Sequence, residues 1–243
     1  MMILALESSA TACSVALTRD GELVAQNYQN SGLTHSRTLL PMVNSLLDNC
    51  GESLEHVDVI AAAAGPGSFT GLRIGVATAK GLAWPADKAC AACSTLESMA
   101  WPLSHLEGKI IVCAMDARRK QVYNALFLAE GGALKRLTPD RAISLEELGA
   151  ELKNYEKSKI VVGDGAKLCY NTLTEQGIKL ELAPSNLRMQ SAWGVARAAE
   201  EIIARGELCK GQDLVPVYHR LSQAERERLE REKTSNEGEH KHD

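Results

Sequence analysis

A glycine-rich loop at residues 65–75 is the segment best suited to hold a ligand. It reads Gly-Pro-Gly-Ser-Phe-Thr-Gly-Leu-Arg-Ile-Gly. Gly65 and Gly67 can adopt positive φ, and Ser68 or Thr70 can cap a following helix whose free N–H groups attract phosphate. The loop has neither the Gly-Lys-Ser/Thr of a Walker loop nor Gly-x-Gly-x-x-Gly spacing. It is a candidate nucleotide or phosphate loop, although a tight turn that leads into a helix explains the pattern equally well.

Two polar turns could face the same ligand. The first follows the opening apolar run and contains Ser8, Ser9 and Thr11, and the second contains Asp116 and Arg118 followed by a further arginine. Hydroxyl groups and arginines can bind phosphate, and the aspartate could position a metal or a base. Solvated turns with no ligand are the alternative for both.

The segment after the loop has helical spacing of very small residues. Gly71, Gly75 and Ala79 recur every four residues, so one helix face is almost bare backbone. Each internal glycine costs about 1 kcal/mol relative to alanine, so another element should approach closely in return. The sequence leaves two candidates open: internal packing against a sheet, or helix packing across a subunit interface together with a helix at 33–50.

The first hundred residues predict the order βββαβαβα. Strands are expected at 2–7, 13–18 and 22–29, with a hairpin turn at Asp20-Gly21. A helix at 33–50 continues in phase through Pro41, where we expect a kink. A buried strand at 57–64, a helix at 69–83, a strand at 88–92 and a helix at 96–104 capped by Thr95 complete the series.

The same order restarts near residue 109. Strands are expected at 109–115, 121–129, 133–137, 160–163 and 178–182, and helices at 144–153, 166–176 and 191–205. This repetition predicts an α/β fold with two lobes of the actin/sugar-kinase/Hsp70-like type, a ribonuclease H-like duplicated βββαβαβα. We expect lobes at 1–105, with the dimerisation helices, and 106–221, whose last helix could pack back on the first lobe. The charged segment 222–243 predicts a disordered tail.

Composition narrows the class of protein. The net charge of −4 argues against a chain that binds nucleic acid alone. No basic region precedes the N-terminal apolar run, and no run approaches ~18 apolar residues, so a cytoplasmic protein is expected. The seven cysteines lie in apolar segments. The Cys90-x-x-Cys93 spacing lacks a second ligand pair for zinc and indicates two core cysteines.

Several motifs together resemble the TsaB family of bacterial tRNA threonylcarbamoyladenosine synthesis. They lie at residues 3–9, 13–17, 35–41, 65–75, 94–97, 115–118 and 216–218. The loop is the most specific of them, and the resemblance covers roughly residues 2–220. The turn after the first strand departs from it, because Glu7-Ser8-Ser9 stands where Asp-Thr-Ser is common.

The resemblance implies an actin-like fold that has lost its own catalysis. It implies pairing with a TsaD-like catalytic subunit, which carries the metal, and joining by a TsaE-like ATPase. ATP, ADP and the metal then belong to the partner complex, and tRNA is reached only through it. Because the pairing surface would be exposed without the partner, a homodimer of the isolated chain is also expected. The implied pairing surface consists of His35, Ser36, Leu39, Val43, Leu46, Gly71, Arg73, Gly75 and Ala79. The candidate phosphate loop consists of Ser8, Ser9, Thr11, Gly65, Gly67, Ser68, Thr70, Asp116 and Arg118.

Two other functions are alternatives to a non-catalytic partner subunit. An independent ATP-dependent phosphotransferase is compatible with the fold, although residues 163–166 are the nearest approach to an adenosine-binding signature. A glycoprotease has little support, since no Ser/His/Asp arrangement or metal motif can be defended. The six histidines offer no helical His-x-x-x-His pair of the kind expected for the catalytic sister subunit.

Overall fold

A computed structural model of the chain describes residues 1–219, and the predicted tail at 222–243 lies outside them. The strands are β1 Met2–Glu7, β2 Cys13–Arg19, β3 Glu22–Gln29, β4 Val59–Gly65, β5 Ala89–Ser94, β6 Ile110–Asp116, β7 Gln121–Glu130, β8 Ala133–Arg136, β9 Arg141–Ser144, β10 Lys159–Val162, β11 Glu181–Leu182 and β12 Cys209–Lys210. The helices are α1 His35–Cys50, α2 Phe69–Ala83, α3 Thr95–Ala100, α4 Leu145–Leu152, α5 Ala166–Glu175, α6 Ser185–Arg188 and α7 Ala192–Ala204.

The first sheet has the order β12-β5-β4-β1-β2-β3. β1 pairs antiparallel with β2 and parallel with β4, and β4 pairs parallel with β5. Every residue of β1 and β4 is buried, because helices cover both faces of the sheet. α1 and α2 cover one face through Leu39, Val43, Leu46 and Val76, while α7 covers the other.

The second sheet repeats this plan. Its order is β11-β10-β6-β7-β8, with β9 also paired to β7. β6 pairs antiparallel with β7 and parallel with β10. α4 and α5 cover one face, and α3 covers the other through Leu96 and Met99. The two sheets, each opened by an antiparallel meander and extended by parallel strands, confirm the predicted duplicated α/β fold.

Two helices lie between the sheets. α7 packs on the first sheet through Val195 and Ala199, and α3 packs on the second. They meet where Gly194 approaches Ser98 so closely that a Cβ on the glycine would lie 2.0 Å from the Ser98 carbonyl oxygen. The cores of the two sheets are therefore joined through a helix–helix contact.

Local sequence patterns predicted most of the helices and strands correctly, and the exceptions lie at their ends. Pro41 lies inside one continuous α1, and Ser144 and Glu147 form the capping box predicted for α4. Ser94, not Thr95, caps α3, and the helical path ends in a short 3-10 turn at Trp101–Leu103. The strand predicted at 178–182 shortens to β11.

Three short elements were missed by the sequence prediction. β9 and β12 are strands only because they pair with β7 and β5, and α6 is a single turn. Across residues 1–219, no helix is long and apolar enough to cross a membrane.

Candidate functional site

The turn after β1 packs directly against the glycine-rich loop. The Ser8 hydroxyl donates a 2.9 Å hydrogen bond to the Gly71 carbonyl, and the Ser68 amide donates a 2.7 Å bond to the Ser9 carbonyl. Ser68 also caps α2, its Oγ accepting from the Gly71 amide at 3.3 Å. The serines of the first polar turn are buried, and these bonds hold the start of α2 to the end of β1.

The small residues of α2 are required by this contact. A Cβ on Gly71 would lie 2.1 Å from the Ser8 carbonyl oxygen, and a Cβ on Gly75 would lie 2.5 Å from the Ser8 Oγ. A Cβ on Gly67 would lie 2.6 Å from the Ser9 carbonyl oxygen. Of the two alternatives left open by the sequence, the glycine face therefore packs internally.

This packing corrects part of the predicted pairing surface. Six of its members are buried in the chain because they face the first sheet or the Ser8 turn, and they present no side chain to a partner: Leu39, Val43, Leu46, Gly71, Gly75 and Ala79. His35 is half-buried and donates through Nε2 to the Ala10 carbonyl at 2.7 Å. Ser36 and Arg73 are exposed.

The opposite faces of α1 and α2 carry a second pattern. Arg73, Ala77 and Gly81, also spaced by four residues, form an exposed row on α2. Leu33 and Leu40, at the start and middle of the α1 region, are 50% and 46% exposed. We call these residues, together with Ser36, the outer strip. The outer strip combines apolar side chains with bare helix backbone, features that permit close approach of another helix.

The carboxyl-terminal strap, residues 211–218, packs along the loop and α2. The Val217 amide donates to the Ala64 carbonyl at 2.7 Å, and a Cβ on Gly65 would lie 2.2 Å from the Val217 carbonyl oxygen. Arg73 stacks on the Phe69 ring at 3.8 Å and its Nε donates to the Tyr218 hydroxyl at 3.1 Å. Residues 216–218 stand out in the sequence only by the family resemblance, because nothing local reveals which distant loop an extended segment will contact.

The second polar turn, at residues 116–120, has an unusual backbone. Its Asp116 Oδ1 accepts from the Arg118 amide at 2.7 Å. Arg118, Arg119 and Lys120 have φ values of 62°, 54° and 58°, a left-handed turn without glycine. Such residues cost of the order of 1–2 kcal/mol each. The turn exposes three consecutive basic side chains.

The predicted phosphate-loop residues thus divide into groups. Ser8, Ser9, Gly67 and Ser68 are brought together, and the Ser8 and Ser68 hydroxyls are used by the hydrogen bonds of the turn. Thr11 and Thr70 are exposed. The part of Asp116 and Arg118 in phosphate binding stays a prediction.

Buried polar groups lie between the first sheet and the second. The Glu7 carboxyl accepts from the Ser9 amide at 2.6 Å through Oε1, and burial raises its pKa to about 7, with a further contribution from Asp164. Burial, with the nearby charge of Asp116, likewise raises the pKa of Asp164, which accepts from Gln190 Nε2 at 3.1 Å. Gln190 was not identified from the sequence, where it has no local signal.

The cysteines are buried or half-buried thiols. Cys90 and Cys93 lie in β5, as expected for core residues, and they face opposite sides of the sheet. Within residues 1–219, no three His, Cys, Asp or Glu residues are placed to hold a metal ion.

Comparisons with known proteins cover nearly the whole chain. The profile of the family described as "TsaD: tRNA N6-adenosine threonylcarbamoyltransferase" matches residues 29–226. The tRNA threonylcarbamoyladenosine biosynthesis protein TsaB of Bacillus subtilis (strain 168) is 32% identical over 237 residues, which cover 96% of this chain and 100% of that protein. TsaB of Escherichia coli (strain K12) is 31% identical and covers 90% of this chain and 95% of its own.

A solved structure agrees with these relatives. YeaZ from Pseudomonas aeruginosa superposes with a TM-score of 0.77 at 30% sequence identity, covering 89% of this chain and 99% of that one. The likeness therefore extends over both sheets rather than over a single motif. The chain belongs to the TsaB family of tRNA threonylcarbamoyladenosine biosynthesis proteins.

Proposed function

We propose that this chain is a non-catalytic subunit of tRNA threonylcarbamoyladenosine synthesis in the cytoplasm. It pairs with a TsaD-like catalytic subunit and acts with a TsaE-like ATPase, while ATP or ADP and the metal are held by the partner complex. The observation that carries this proposal is the match along the full length of the Bacillus subtilis TsaB protein. The acidic net charge of −4 supports tRNA contact only through the complex.

The outer strip is the surface we assign to pairing. Exposed apolar groups such as Leu40 favour association because burial removes them from water, at about 25 cal/mol per Å². Ala77 and Gly81 let a second helix approach the α2 backbone. The same strip would stay uncovered in the isolated chain, so we expect a homodimer with two-fold symmetry in the absence of the partner.

An Ala77→Arg variant tests this surface. The added side chain would stand in the middle of the outer strip and keep a partner helix away, while the monomer core is untouched because Ala77 is exposed. We expect at least a tenfold weaker affinity for a purified TsaD-like subunit in titration calorimetry, about 1.4 kcal/mol. The same variant should shift the isolated chain from dimer to monomer in light scattering.

Ala204→Arg is the matched control, since Ala204 is exposed at the end of α7 on the opposite face of the first sheet. Equal affinities for both variants and the wild type would contradict the assignment. Reconstituted tRNA modification with and without this chain tests the role itself. Turnover of ATP by the isolated chain would instead support the phosphotransferase alternative, which stays a prediction.

A further inference from the structure

Two cysteines face each other across the edge of the first sheet. β12 pairs antiparallel with β5 so that Cys209 is directly opposite Cys90. Directly opposed residues point to the same side of a sheet, and both thiols pack in the cluster beneath α1 and α2. The Cys209 Sγ lies 3.5 Å from the Cys90 carbonyl oxygen. The two side chains are therefore neighbours on one face.

This arrangement lies within the reach of a disulfide. Opposed residues of an antiparallel pair have Cα atoms about 4.5 or 5.5 Å apart, and disulfides span about 4.4–6.8 Å between Cα atoms. Cys93, in the same strand, packs on the other face of the sheet and cannot compete for Cys209. Rotation of the two side chains about Cα–Cβ would move the sulfur atoms towards each other.

We propose that Cys90 and Cys209 form a reversible disulfide when the protein meets a low-molecular-weight disulfide, and that this cross-link fastens β12 to β5. The inference goes beyond the proposed function and does not depend on it. A disulfide at an exposed sheet edge can form and break with the redox state of its surroundings.

The chemistry balances with glutathione disulfide as oxidant. The half-exposed Cys209 loses its proton and attacks one glutathione sulfur, which forms a mixed disulfide and releases the first glutathione thiolate. Cys90 then loses its proton and attacks the Cys209 sulfur, which releases the second. Two protein thiols are oxidised, one glutathione disulfide is reduced, and the two protons pass to the two glutathione thiolates.

The environment of the thiols sets the rate of this exchange. Burial raises the pKa of Cys90 to about 11 and also raises the pKa of Cys209. Thiolates are scarce at neutral pH as a result, and exchange should be about 50- to 100-fold faster at pH 9 than at pH 7.

The cross-link would act on the carboxyl-terminal strap, which begins one residue after β12. Gly211 packs against Ala83, and Lys80 Nζ donates to the Gln212 carbonyl at 2.9 Å, so the first part of the strap follows the end of α2. A disulfide at Cys209 would keep the N-terminal end of the strap from moving away from α2. Hydrogen exchange of the strap amides should slow on oxidation.

Peptide mapping of the full chain tests the proposal. After incubation with glutathione disulfide and blocking of free thiols, we expect one cross-linked peptide that contains Cys90 and Cys209, and a melting temperature higher by about 5 °C or more. Cys90→Ser and Cys209→Ser should lose both effects. Cys50→Ser is the matched control, because Cys50 is a half-buried thiol on α1, and it should keep both.

Three results would overturn the proposal. Glutathione could remain on Cys209 while Cys90 is still open to alkylation, the cross-link could join a different pair, or no cross-link could form at pH 9 in the folded protein. The wild-type peptide map decides among these results even if a serine variant fails to fold.

Discussion

At the scale of single residues, Glu7 shows how a site-like pattern can have a structural cause. It ends β1 with a carboxyl group that is fully removed from solvent. One oxygen accepts from the Ser9 amide, but no basic side chain among residues 1–219 lowers its pKa, and Asp164 disfavours its ionisation. A buried carboxyl group without a cationic partner has a lower free energy in its protonated form than in its charged form.

Glu7 should therefore make the fold sensitive to pH. Its pKa rises from an ordinary 4.5 to about 7 in the folded chain, so the folded state binds the proton more tightly than the unfolded state. Protonated Glu7 makes its full contribution to the free energy of unfolding below pH 4.5. As the pH rises to about 7, that contribution, about 3 kcal/mol, is lost.

A Glu7→Gln variant should match the wild type near pH 4.5 and exceed its free energy of unfolding by about 3 kcal/mol at pH 8, measured by urea denaturation. The exposed Glu130→Gln is the control. A wild-type pH profile that Glu7→Gln leaves unchanged would show that the carboxyl group ionises without cost.

At the scale of the element, α2 has two rows of residues with four-residue spacing, one buried and one exposed. The inner row is buried, with Gly71 and Gly75 against the Ser8 turn and Ala79 in the core under the first sheet. The outer row, Arg73, Ala77 and Gly81, faces solvent. Both rows have the same four-residue spacing, so the helix period alone predicts two thin faces and does not distinguish them. Contact with the end of β1 makes the distinction.

Alanine substitution should separate the two rows. Gly71→Ala puts a Cβ 2.1 Å from the Ser8 carbonyl oxygen, a backbone atom that cannot move alone, and should lower the free energy of unfolding by about 3 kcal/mol. Gly81→Ala has no atom within 4 Å of the new Cβ and should raise it by about 0.5–1 kcal/mol. Urea unfolding of both proteins checks the pair, and losses of equal size would refute the assignment of rows.

At the scale of the whole molecule, each sheet is covered on its inner face by a helix from the other half of the chain. α3 follows the first sheet in sequence but packs on the second, and α7 follows the second sheet but packs on the first. The Ala192 amide adds a 3.1 Å bond to the Ser14 hydroxyl of β2. This exchange joins the halves, because neither inner face is covered without the other half.

Gly194→Ala should weaken this junction. The new Cβ would lie 2.0 Å from the Ser98 carbonyl oxygen and force α7 away from α3, at a cost of about 3 kcal/mol in the free energy of unfolding. Ala204→Gly, at the exposed end of the same helix, should cost less than about 1 kcal/mol. Comparable costs in denaturant titrations would mean that the distance between the two helices adjusts freely.

The sequence by itself determined the elements whose signals are local. The apolar run of β4, the capping box at Ser144 and Glu147, and the loop that identified the family needed no knowledge of distant residues. The tertiary structure decided which face of α2 is internal, that β12 exists as a partner of β5, and that Cys209 lies opposite Cys90. Those features depend on contacts between segments up to 119 residues apart, and spacing along the chain carries no information about which distant backbone will approach.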